Sequence, residues 1–135
     1  LKFSASAKKD LEILGEAVED IVNTAYEVFD KQDMKLAEKI EPLEEVIDEL
    51  SKEVKRRHVQ RLRNGECTIE MGFILSDIAT CLERVADHCS NIGVCVTQVN
   101  EDLYDTHSHL NIVKSHPDET FYHELEDARI KYQLS

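Results

Sequence analysis

Tryptophan is absent from this chain, and turn-forming residues are scarce: two prolines and four glycines in 135 residues. So few breakers exclude a fold built from many short strands and tight turns. Apolar runs are short as well. None approaches the ~18 residues that would suggest a membrane span, and the N-terminus carries no apolar h-region of a secretory signal peptide. Positive charge is in deficit, with 16 Lys and Arg against 28 Asp and Glu and a net charge of −12. That balance disfavours nucleic acid as a partner, because phosphates demand basic residues. Divalent cations and basic partners stay open. The four cysteines include no CxxC pair, and Cys81, Cys89 and Cys95 share one helical segment as small apolar fillers. A reduced, cytosolic setting follows. HExxH, GxSxG and P-loop motifs are missing, and no histidine has Glu three residues before it. With no nucleophile, base and orienting group to assemble, no bond-breaking chemistry is expected.

What is present is helical rhythm. At this length one domain with a real core is expected, and the Ala, Glu, Lys, Leu, Ile and Val content fits an all-α bundle. Leu11, Leu14, Val18, Ile21, Ala25 and Val28 alternate steps of three and four, until Asp30 to Asp33 breaks the pattern. Ile40, Leu43, Ile47, Leu50 and Val54 repeat it, with Pro42 starting or kinking the helix and Asn64-Gly65 closing it. The third run places Leu75, Ile78, Leu82, Val85, Cys89, Ile92, Val96 and Val99 on one predicted core seam. Beside it Gly72, Ala79, Ala86 and Gly93 recur every seven residues. Such a stripe permits close helix approach, read here as packing inside one bundle ahead of an oligomer interface. These segments predict an antiparallel three-helix bundle over residues 1–100. Residues 101–135 are predicted as a loop to about residue 116, then a short helix from Pro117 and Asp118 to about Lys131. Phe121, Leu125, Ala128 and Tyr132 share one side of that helix, which packs on the bundle.

The chemistry-bearing residues are carboxylates. Glu83 and Asp87 stand one helical turn apart, off the core seam, with Asn91 a turn further on. Like charges at that spacing repel by roughly 0.2–0.5 kcal/mol. Glu44 and Asp48 repeat the arrangement on the preceding helix, and His88 adjoins the later pair. Two helices each offering two carboxylates suit hard or borderline cations. A chain this acidic supplies about one such pair by chance, and Glu16 with Asp20 is another match. A merely solvated acidic face is therefore the competing reading. Asp105, His107 and His109 alternate as a second candidate ligand set, in the predicted loop. Lys52, Lys55, Arg56, Arg57, His58, Arg61 and Arg63 end the second helix, where the helix dipole and solubility account for them ahead of contact with anionic lipid.

The stretch LERVADHCSNI, residues 82–92, resembles the signature of PhoU-type phosphate regulators, and LEEVIDEL, residues 43–50, is similar to that family's companion motif. Asp105-Thr106-His107, Leu110 and the stretch from Phe121 to Tyr132 look like the C-terminal extension of sodium-dependent phosphate symporters, whose members carry a membrane domain first and a cytosolic PhoU-like domain last. The resemblance implies a metal site at Glu44, Asp48, Glu83 and Asp87 holding iron or zinc on the bundle surface. It implies a regulatory, non-catalytic role in phosphate transport, at the inner face of the cell membrane, with the membrane domain of the transporter as partner. A start at Leu1 without Met reads as a domain excised from such a protein. Full PhoU proteins have two three-helix repeats where this chain has one, so a homodimer would be needed to recreate the double bundle. A stand-alone regulator, a metal-free adaptor and a metal-dependent enzyme are the alternatives.

Overall fold

The computed structural model describes residues 3–104 and 119–134, and all regular structure in them is helical. Helix α1 spans Ala5–Lys31, a short α2 Met34–Ala37, α3 Ile40–Arg63, α4 Ile69–Tyr104 and α5 Glu119–Lys131. Each boundary has a local cause. The Ser4 hydroxyl accepts the Ala7 N–H at 3.2 Å, capping the start of α1. At its end Gln32 turns left-handed, with φ of 53°. The Asp33 carboxylate then takes the Lys35 and Leu36 N–H groups at 3.1 Å each, opening α2. Pro42 sits in the first turn of α3, where its missing N–H costs nothing, so it starts that helix rather than kinking it. Gly65, with φ of 74°, follows the end of α3, and the Thr68 hydroxyl accepts the Met71 N–H to open α4. Helix α4 carries on through residues 101–104, which were expected in the loop, because nothing after Asn100 breaks it. The predicted loop from residue 105 onward, with Pro117 and Asp118, lies outside the described residues.

Helices α1, α3 and α4 pack on one another as an up-down-up bundle. Side-chain contacts fix the directions. Arg61 near the end of α3 meets Asp10 near the start of α1, while Gln32 and Asn100, at the far ends of α1 and α4, join at 2.8 Å. Leu14, Ile21, Val28, Ile40, Ile47, Val54 and Leu75 are fully buried between the three helices. Helix α5 packs against α3. It is held by Leu125 and Tyr132, by a fork from Arg129 to Glu49 at 2.6–3.2 Å, and by the Tyr132 hydroxyl donating to Asp20 at 2.6 Å. Asp20, which with Glu16 only repeats the carboxylate spacing, is thus an anchor of that helix.

The third core seam differs from the one expected. Ala79, Ala86 and Gly93 are buried along the middle of α4, flanked by Leu75, Leu82, Cys89 and Val96. Ile78, Val85, Ile92 and Val99 are 37%, 40%, 42% and 55% exposed. The small-residue stripe therefore lies inside the bundle, as read, but it is the seam itself rather than a neighbour of it. Small side chains let α4 approach so closely that the bulkier row is turned outward. Gly93 shows the tightness: a Cβ there would stand 2.9 Å from the Ile40 Cδ1, itself in the core. Gly93→Leu should accordingly cost about 3 kcal/mol by overpacking. Gly93→Ala should be much milder, because its gain in helix propensity of about 1 kcal/mol offsets the crowding. Urea titration of the two variants checks the ranking.

The basic run also departs from expectation. Lys52, Arg56 and Arg63 face solvent, but His58 and Arg61 are buried and Arg57 is half-buried. They continue the apolar register of Leu50 and Val54 inward, where Asp10 awaits them. Cys81 and Cys95 are exposed rather than filling space, and only Cys89 is in the core, where burial pushes its thiol pKa up. All four thiols are free.

Candidate metal centre

Antiparallel packing of α3 on α4 brings the two E-x-x-x-D pairs to one patch. Glu44 and Asp48 are a turn apart on the shoulder of α3, and Asp87 faces them from α4. One carboxylate oxygen of each lies within 4.8 Å of the others. Glu44 and Asp48 are half-buried and Asp87 is exposed. Glu83, half-buried one turn before Asp87, stands outside this tight trio, yet its charge bears on Asp48.

Such crowding is costly without a cation. Burial, then a hydrogen bond with Asp87 and the charge of Asp48, push the Glu44 carboxyl up to about 8. Asp48 is also raised, by burial first, although a hydrogen bond with Glu44 and the charge of Lys52 work the other way. A cluster that holds a proton where carboxylates are normally ionised is short of positive charge. The donor set is all oxygen, which suits hard cations and remains compatible with iron or zinc. The trio's chemistry is compatible with the ion that the motifs imply; Glu44, Asp48 and Asp87 would be the residues to hold it, while Glu83 is not brought into the group.

The secondary candidates separate. His88 is exposed and, one residue beyond Asp87, turns about 100° around the helix away from the trio. Asn91 is exposed on α4, one turn beyond Asp87. Asp105, His107 and His109 lie outside the described residues.

Sequence reading missed a second polar centre at the opposite end of the bundle. Asp10, only 1% exposed, receives Arg57 at 3.2 Å and Arg61 at 3.5 Å. Arg61 also donates to the Ser6 hydroxyl at 3.2 Å and to His58 Nδ1 at 3.4 Å. Burial and the Arg61 charge press the His58 pKa down, so the ring is neutral and its Nε2 carries the hydrogen. The available signal was Asp10 itself, a charged residue in step with Ala7, Leu14 and Ala17 on the apolar face of α1. This centre ties α1 to α3.

No helix among the described residues is long and apolar enough to cross a membrane. The family model of the PhoU domain matches residues 11–96, which take in all of α3, most of α1 and α4, and all four carboxylates. The chain is 33% identical over 91 residues to the phosphate-specific transport system accessory protein PhoU homolog 1 of Thermotoga maritima. That match covers 67% of this chain but 39% of the relative, so the chain spans about two fifths of that protein's length. No solved structure matches it significantly. With more than half its length matched, and the motif carboxylates converging on one patch, the chain belongs to the PhoU domain family.

Proposed function

We propose that this chain is a non-catalytic regulatory domain of phosphate transport whose carboxylate patch takes up iron or zinc. Family membership carries the reading, together with the relative named as an accessory protein of a phosphate-specific transport system. The convergence of Glu44, Asp48 and Asp87 supports the metal part. When bound, a cation would neutralise the patch and fix α3 against α4, giving a partner a rigid face. The finer reading is the cytosolic C-terminal domain of a sodium/phosphate cotransporter, docked on its membrane portion. It rests on the resemblance of Asp105 to His107, Leu110 and the stretch from Phe121 to Tyr132. A stand-alone regulator accounts equally well for the relative found.

Two measurements test this. In cells carrying the native gene, deletion of the coding region for this chain should change the dependence of labelled-phosphate uptake on external phosphate. Unchanged uptake would remove the regulatory reading. The reading frame upstream of Leu1 should encode several hydrophobic spans. If it does not, the cotransporter assignment falls and the stand-alone regulator stands.

A further inference from the structure

Where α3 ends and α4 begins, the two helices leave a cleft of about 250 Å³ between them, at the opposite end of the bundle from the carboxylate patch. Val59, Ile69 and Phe73 form its exposed apolar rim. Three polar side chains line it as well: Lys55 and His58, one turn apart on α3, and Ser76 on α4. None of the described residues lining it is acidic, in a chain with 28 Asp and Glu. The cleft thus offers apolar contact, hydrogen-bond donors and one positive charge, with no carboxylate to repel an anion.

His58 is its unusual member. The residue is 5% exposed. Arg61, which can only donate, occupies Nδ1 at 3.4 Å, so Nε2 bears the hydrogen. That N–H is buried and finds no acceptor among the described residues. Buried donors left unpaired are costly and uncommon, and one that lines a cleft calls for an acceptor from outside. Gly72, which also lines the cleft, leaves the way open. A Cβ there would stand 3.3 Å from the ring Cδ2 and 3.5 Å from Nε2. Lys55 adds charge. Its ammonium donates to the Thr80 hydroxyl at 3.0 Å and meets no carboxylate among the described residues. Apolar walls with a few convergent polar groups are the usual make-up of a small-molecule site.

We propose that this cleft binds a small aromatic monocarboxylate, its ring against Val59, Ile69 and Phe73 and its carboxylate accepting from His58 Nε2 and from Lys55. Size sets the class. An apolar cavity of about 150 Å³ admits benzene, so this volume holds a single ring with its acid group and little more. Inorganic phosphate is a poor fit, since apolar walls cannot replace its hydration. A water on Nε2 would satisfy that donor but leave the charge of Lys55 and the apolar walls without a role. The site is independent of the carboxylate patch and of the phosphate-transport reading, and each can fail without the other.

Benzoate is the probe. Added to the isotope-labelled chain, it should shift the magnetic resonance signals of His58 Nε2 and its hydrogen, with a Kd on the order of 0.1–1 mM, the range open to about nine non-hydrogen atoms. Benzyl alcohol, similar in shape but uncharged, should bind roughly tenfold more weakly. Lys55→Met should weaken benzoate by roughly tenfold and leave benzyl alcohol unchanged. Gly72→Ala, whose methyl stands before Nε2, should abolish the His58 response while helical circular dichroism is kept, because alanine favours the helix. No response at about 10 mM benzoate, well above that range, would overturn the site and leave Nε2 to water. Equal binding of benzoate and benzyl alcohol would overturn the anion assignment. Displacement of benzoate by inorganic phosphate would overturn the aromatic class. Benzoate binding undiminished in Gly72→Ala would place it elsewhere on the chain and overturn the role of His58.

Discussion

Replacing Asp10 with Ala should destabilise the protein by about 3–5 kcal/mol, because it strands a buried guanidinium. Asp10 and Arg61 are 1% and 6% exposed, so water cannot take over the lost contact. Arg61 would keep only Ser6 and the neutral His58, neither of which carries charge. Arg57, half-buried, would lose its partner in the core but can still reach Glu53 on its own helix at 3.6 Å. Total stability of a domain this size is about 5–15 kcal/mol, so Asp10→Ala should be partly unfolded in mild urea. The reverse experiment separates the ion pair from simple packing. Asp10→Leu with Arg61→Met removes both charges and keeps apolar volume, and should recover most of the loss, as replacement of buried pairs by apolar residues often does. If the double variant is as unstable as the single, shape rather than charge explains the site. His58 adds a pH signature. Its folded pKa is pressed below the usual 6.5, so the folded state resists protonation. Stability should therefore decline as pH falls below 6.5, until the folded pKa is passed.

The bundle was legible because periodicity reports which residues face inward within about one helical position. Helices α1 and α3 bury nearly the expected residues. Helix α4 was misread because it carries two adjacent apolar stripes, one small and one bulky. The three-four rhythm suggested that Ile78, Val85, Ile92 and Val99 fill the core together with Leu75, Leu82, Cys89 and Val96. Backbone proximity decided otherwise, and only the closeness of Gly93 to Ile40 reveals it. The carboxylate patch was legible for a related reason: Glu83 and Asp87 were placed on a shoulder, and Glu44 and Asp48 on the matching shoulder of the preceding helix. Distance was not legible, and it divides the four into a trio and an outlier. His88 shows the limit of reading by adjacency, since one residue along a helix turns the side chain by about 100°. The Asp10 centre was hidden because Arg57, His58 and Arg61 were read as a block of charge rather than position by position.

Metal should reverse the sign of what mutation of Glu44 does to stability. Without metal, the folded state holds the Glu44 proton up to a pH of about 8, while an unfolded glutamate releases it near 4.5. Between those values the folded state binds more protons than the unfolded one, so stability falls as pH rises from 4.5 to 8. At ~1.4 kcal/mol per pKa unit a full conversion would overstate the loss, because water still reaches this half-buried group. We expect about 1–2 kcal/mol. Glu44→Gln removes that repulsion and should flatten the slope, leaving the metal-free variant more stable than wild type near pH 8. A bound cation inverts the balance. It must displace the Glu44 proton, so affinity should rise with pH towards 8 and binding should release a proton. At a free metal concentration 100 times Kd the folded state gains about 2.7 kcal/mol. Glu44→Gln and Asp87→Asn should forfeit most of that gain, and elemental analysis after chelator-free purification should find iron or zinc in wild type alone. Thermal unfolding with zinc or ferrous ion, against chelator, reads both halves. If Glu44→Gln lowers stability by the same amount with and without metal, the carboxylates act as a hydrogen-bonded brace between α3 and α4. If instead it stabilises the metal-free form and loses the metal response, the crowding of Glu44, Asp48 and Asp87 is the cost of keeping a cation site ready.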